Sequence, residues 1–181
     1  KTIEKYIKYS YKPFSSDLQK NTIDPRSYYY LQDFLVSQKN NTNLTLVNTW
    51  LTNLNEDLNN YPDVSAPFHT NNIDLSVNMN ALFGLSHIMI LYPEQISDEI
   101  LNLYKSVSDF AVWAIQSETV LKRPDLAILY YPSVYDFYWF VSRTYSFLNQ
   151  RKGNLTFDEL KNTHTKFEKV LKQVATYQIL N

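Results

Sequence analysis

Cysteine is absent from the 181-residue chain. That absence excludes disulfides, thiol catalysis and thiolate metal sites together. Glycine is nearly absent, at 2 residues. Tight sheet turns need glycine, so its scarcity favours helices joined by Pro, Asn and Asp loops. Two glycines also cannot build a P-loop or a dinucleotide-binding turn. Long apolar runs are missing. The longest, around Ala81 to Leu91, is broken by Ser86 and His87, and it falls short of the roughly 18 residues of a membrane span. No excess of charge exists: 17 Lys and Arg against 18 Asp and Glu leave a net charge of -1. Such a balance offers no broad attraction to nucleic acid or anionic membranes, so neither is expected as a partner. The three histidines, His69, His87 and His164, lack metal-ligand spacing. No metal site and no cofactor are implied. No G-x-S-x-G elbow occurs. The adjacent acids Glu56-Asp57, Asp98-Glu99 and Asp158-Glu159 read as solvated charge or helix-start complements rather than an acid/base pair.

What is present describes a globular chain. It is 44% hydrophobic and 19% charged, with enough length for one domain and a sizeable core. Residues 1–181 therefore read as a single domain. The chain opens on Lys1 without a signal-like apolar segment, as a processed chain or part of a longer precursor would. Three sequons occur, at Asn40, Asn43 and Asn154. They make these residues candidate glycosylation sites and an extracellular, secreted location the expectation, although an Asn- and Thr-rich composition generates such motifs unaided.

Helical signals dominate the order of the chain. Thr2 to Lys8 fits a terminal helix turn, while the alternation in IKYSYKPF fits a short strand. Asp24-Pro25 supplies an N-cap and a first-turn proline, and the helix behind it would place Tyr28, Leu31 and Leu35 on one face. Val47, Trp50, Leu51, Leu54 and Leu58 recur at helical spacing and predict another helix ending near Asn59. From Leu75 to Leu91 the apolar residues surround the axis, which predicts a helix buried on most sides. Gly84 in its middle costs about 1 kcal/mol relative to alanine and predicts a close neighbour. Ile100, Leu103, Val107, Phe110 and Ala114 mark an amphipathic helix from Ser97 to about Leu121. KRPDLAILYYP reads as extended or looped. Ser133 and Asp136 form a capping signal for a second all-round apolar helix, Val134 to about Asn149. Arg151 to Asn154 break the chain. Thr156 and Glu159 predict a capping box for a last helix striped by Leu160, Phe167, Val170, Leu171 and Val174. Amphipathic and buried helices alternate, as in antiparallel hairpins arranged in two layers.

Two segments carry a resemblance. DLSVNMNAL, Asp74 to Leu82, and YYPSVYDFYWFVSR, Tyr130 to Arg143, resemble inner-helix motifs of uncharacterised members of the α/α-toroid superfamily, which includes terpenoid cyclases and protein prenyltransferases. The resemblance covers roughly Asp74 to Leu148. It implies an all-α, partial α/α toroid. The superfamily's catalytic motifs are missing: neither Asp-x-Asp-Asp nor Asp-Asp-x-x-Asp occurs, and without cysteine the zinc ligands of the prenyltransferases cannot form. The pattern yields five or six helices, about half of a complete toroid. Another chain, a second copy or a missing segment of the same precursor would then close the ring.

The candidate ligand-binding residues lie on these two segments: Asp74, Asn78, Asn80 and His87 on the first, Tyr138 and Arg143 on the second. Arg143, on a helix of Tyr, Phe and Trp, must find an acceptor, because an unpaired buried charge is costly. Two outcomes are open. One is a structural ion pair with Asp74 or Asp136, the favoured expectation; the other is a clamp on an anionic or polar ligand. Asp74 is expected to cap its helix, and His87 to be a hydrogen-bonded core residue. The aromatic cluster reads as core volume first and as a cation-stabilising cavity wall second. The functional expectation is a non-catalytic, secreted binding or structural module. The rivals are a cyclase-like or glycoside-processing enzyme using Asp74 as acid and Arg143 as clamp, and a subunit that completes a helical ring with another chain.

Overall fold

A computed structural model of the chain describes residues 2–52, 56, 59 and 70–180. Among these residues the architecture is all-α, with two isolated β-bridges and no strand. The helices are α1 (Thr2–Lys8), α2 (Leu18–Asn21), α3 (Pro25–Ser37), α4 (Leu75–Leu91), α5 (Asp98–Gln116), α6 (Thr119–Lys122), α7 (Pro124–Ala127), α8 (Val134–Asn149), α9 (Asp158–Val170) and α10 (Thr176–Leu180).

Local signals set most helix starts. The Asp24 carboxylate accepts from the Arg26 N–H at 2.9 Å and opens α3. Asp74 does the same for α4 through the Val77 N–H at 2.9 Å. Ser133 and Asp136 form a full capping box on α8. Each such bond satisfies a backbone donor that the first turn leaves without a partner. The expected capping box on α9 is not formed. Phe157 occupies the cap position without a side-chain bond, and the first turn carries Asp158 and Glu159 instead, so charge meets the helix dipole there. Helix α5 stops at Gln116, because Glu118 turns into the left-handed region at φ 58, a common way to end a helix.

Three other expectations are corrected. Val47, Trp50 and Leu51 are not helical, whereas Glu56 and Asn59, toward the end of the expected helix, are; Leu54 and Leu58 lie outside the described residues. The segment around Leu46 runs extended and buried, bridging antiparallel to Tyr11 through two backbone bonds of 2.9 Å. KRPDLAILYYP contains the short helix α7, started by Pro124 at the position where proline's missing N–H is harmless. Helix α3 buries Ser27, Tyr30, Leu31 and Phe34, while Tyr28 faces solvent. Three consecutive tyrosines left that register undetermined by pattern alone.

The four long helices hold the core. Helix α4 packs on α5, α5 on α9, α9 on α8, and α8 back on α4. Leu82, Leu85, Leu103, Val107, Phe110, Phe137, Val141, Leu160 and Phe167 are fully buried within this ring of contacts. Small polar bonds cross it. Ser86 and the Tyr104 hydroxyl meet at 2.8 Å, and the Thr163 hydroxyl donates to Ser108 Oγ at 2.8 Å. Burial pushes the Tyr104 hydroxyl far above its ordinary range, so it remains a neutral hydrogen-bonding group. Gly84 has no close neighbour, against expectation: a Cβ added there would meet nothing within 4 Å. It lies on a half-buried part of α4.

Candidate functional site

Helices α4 and α8 make the most extensive helix contact among those described. Beside their contact lies an open groove of ≈ 460 Å³. Helix α8 builds one wall as a ridge. Trp139, Arg143 and Phe147 follow at four-residue steps, and Arg151 continues the spacing just past the helix end; such residues share a helix face. Helix α4 contributes Phe83 and His87, with Asn80 one turn earlier.

The groove is a stack of rings and cations. The Arg143 guanidinium carbon lies 3.8 Å from the Phe83 ring centre, 4.4 Å from Trp139 and 5.0 Å from Phe140. Its Nη2 donates to Asn80 Oδ1 at 2.9 Å, which ties α8 to α4. Its Nε is buried without an acceptor. Arg151 covers Phe147 at 4.0 Å and donates from Nη1 to the Phe147 carbonyl at 3.3 Å. Phe147 stacks on His87 with centroids 3.7 Å apart and planes 21° apart. Phe83 meets both rings edge-on. His87 Nδ1 is 3.0 Å from the Phe83 carbonyl. A carbonyl can only accept, so Nδ1 carries the hydrogen.

Among the described residues no acid compensates the charge in this groove. The chain has four arginines. Arg26 pairs with Asp24 and Arg123 with Asp125. Arg143 and Arg151 have no carboxylate partner among the described residues, and no acid lines the groove. Burial lowers the Arg143 pKa from its ordinary value while Tyr131 opposes the shift; a guanidinium starts so high that it stays charged at neutral pH. π faces and one neutral amide stabilise the cation, but they do not cancel its charge.

The expected ion pair of Arg143 is therefore replaced by this arrangement. Asp136 belongs to the α8 capping box. Asp74 caps α4 and accepts from the Tyr130 N–H at 3.2 Å with its second oxygen. Burial pushes the Asp74 carboxyl up, against the lowering effect of its backbone donors at Val77 and Tyr130.

The structure brings Asn80, His87 and Arg143 together and holds Asp74, Asn78 and Tyr138 elsewhere. Asn78 is fully buried. Its amide accepts from the Val47 N–H at 3.0 Å and donates to the Val47 carbonyl at 2.9 Å. That pair of bonds does for Val47 what a neighbouring strand would do. Tyr138 is buried, and its hydroxyl donates to Gln178 Oε1 at 2.8 Å while Gln178 donates to the Ile115 carbonyl at 2.9 Å. Burial, helped by Glu118, pushes the Tyr138 hydroxyl up to about 12. It is a strut between α8 and α10. Phe83, Phe147 and Arg151 were not singled out by sequence. The four-residue step from Trp139 through Arg143 carries the signal for the last two, but Arg151 stood in an apparent chain break.

Asn40, Asn43 and Asn154 are exposed. A second open cavity, of ≈ 400 Å³, lies near Asn43 and is lined by Lys12, Asp98, Glu99 and Asn102 among others; its charges are mixed. No group of three metal-ligating side chains occurs among the described residues, and no described helix is long and apolar enough to cross a membrane. Comparison with known proteins finds no matching family model, no matching curated protein and no matching solved structure.

Proposed function

We propose that the chain is a non-catalytic binding module whose groove between α4 and α8 holds an anionic group carried on a flat or apolar body. One observation carries this reading. Of four arginines, the two without a carboxylate partner among the described residues lie on aromatic rings in the same open groove. A groove with two cations and no acid favours an anion. Trp139, 55% exposed, offers a ring face on which an apolar body can rest. An enzyme reading has less support, because Asp74, the acid it needs, is engaged by backbone N–H groups and does not line the groove. The toroid resemblance belongs to the same proposal. The two motif-bearing helices, α4 and α8, pack on each other, and so do α5 and α9, as inner and outer pairs of a toroid sector would.

Calorimetric titration with 2-naphthoate, a planar carboxylate, tests the reading. Saturable binding is expected, with Arg143→Met weakening it by about tenfold, the loss of one charge-assisted hydrogen bond. The uncharged 2-naphthamide should bind more weakly than the acid. Equal binding of acid and amide, or an unaffected Arg143→Met variant, contradicts an anion site.

A further inference from the structure

The two groove arginines lie about two helical turns apart along one ridge, and that spacing restricts the ligand. Arg143 and Arg151 are eight residues apart on one ridge, which on an α-helix is about 12 Å along the axis. Both guanidinium groups lean back by one turn. Arg143 reaches the ring of Trp139, four residues earlier, and Arg151 reaches the ring of Phe147, four residues earlier. Two side chains that lean the same way along one ridge keep their heads about two turns apart. Each head is anchored at one nitrogen, Nη2 of Arg143 on Asn80 and Nη1 of Arg151 on the Phe147 carbonyl. A guanidinium has five N–H donors, so each retains donors for a further acceptor. Between the two cations lie the rings of Phe147, stacked on His87, and Phe83, edge-on to both, with Ser146 and Gln150 at the groove's margin.

We infer that the groove takes an elongated dianion: two anionic ends separated by roughly two helical turns, joined by an apolar or flat middle that runs along the groove past the edge of Phe147. This rests on the anion-binding reading above and adds a length requirement to it. One anionic end meets Arg143 beside Trp139, and the other meets Arg151 at the end of α8. A short dianion reaches only one cation and binds as a monoanion does. A dianion of matching length engages both cations, and its second contact forms within an already bound complex, at a high effective concentration.

A series of linear α,ω-dicarboxylates from succinate to dodecanedioate, titrated beside monocarboxylates of equal chain length, reads this out. Affinity is expected to rise with length to a maximum near decanedioate, where the ends are at least about tenfold better than the matched monoacid through the second contact. Arg143→Met and Arg151→Met should each reduce the diacid to the affinity of the monoacid and remove the maximum. Melting curves of both variants confirm that they remain folded. Diacids and monoacids that bind equally at every length, with no maximum, overturn the two-point proposal and leave a single anion site. Absence of binding by every acid in the series overturns both the two-point proposal and the anion-site reading beneath it.

Discussion

Arg143 shows how one residue's surroundings decide its role. A buried arginine with a buried carboxylate would lose about 3–5 kcal/mol of stability when one partner is removed, because the other charge is left uncompensated. Arg143 has no such partner among the described residues. Its removal takes away one hydrogen bond to a neutral amide and its contacts with three rings. Arg143→Met, which keeps the unbranched apolar stem, is expected to destabilise the fold by only about 1–2 kcal/mol. Urea denaturation measures this, and a loss near the buried-pair value would show that an unrecognised carboxylate meets the guanidinium. Sequence identified Arg143 as a residue needing compensation, but the kind of compensation was not legible. Asn80 sits 63 residues away, and the ring faces that shield the guanidinium depend on how two helices pack. Asn78 stood among the candidate ligand-binding residues for a similar reason: it is a polar residue in an apolar helix, and the partner that satisfies it, Val47, lies 31 residues away.

Helix starts were the most legible elements. Asp24-Pro25, Asp74 and Ser133 with Asp136 act on N–H groups within three residues, so the sequence contains both partners. The segment around Leu46 was illegible because its backbone bonds go to Tyr11, Ser106 and Asn78, so the helical spacing that begins at Val47 did not set its conformation, although Glu56 and Asn59 further along are helical. Gly84 makes a prediction at this scale. Nothing within 4 Å opposes a Cβ, so Gly84→Ala is expected to gain about 1 kcal/mol from helix propensity. A raised midpoint in thermal or urea unfolding checks it, and a lowered one would reveal a neighbour pressed against that face. The α8–α9 contact carries a pH dependence. His164 lies 3.0 Å from Asn149 Oδ1 and stacks on Tyr145. Burial and then Lys152 lower its pKa, with Lys172 acting the same way and Glu168 opposing. The folded state thus binds the proton less readily than the unfolded chain. The contribution of His164 is complete above the ordinary histidine value of about 6.5 and declines as pH falls through and below it. Unfolding free energies measured from pH 7.5 to 5 should decrease, and His164→Gln should flatten that slope. An unchanged slope in the variant would assign the pH dependence elsewhere.

For the whole molecule, composition made the all-α fold class legible, while a partial ring of helices rests on a resemblance alone. The scarcity of glycine and the periodic apolar residues led to an all-α chain, and the described residues are all-α. The all-round apolar character of α4 and α8 was read as burial on most sides. Part of it instead forms an open face, where Tyr135 and Trp139 are 60% and 55% exposed. Hydrophobic pattern cannot distinguish a surface that packs against the same chain from one that waits for a ligand, since both favour the same side chains. Under the anion-site proposal the groove's charges make that distinction, and arginine resonances report on them directly. With four arginines in the chain, a proton–nitrogen spectrum of the Nε–H groups contains four side-chain signals. Titration with decanedioate should move the signals of Arg143 and Arg151 and leave those of Arg26 and Arg123, already paired with Asp24 and Asp125, in place. Four signals that move together, or none that moves, would contradict the account.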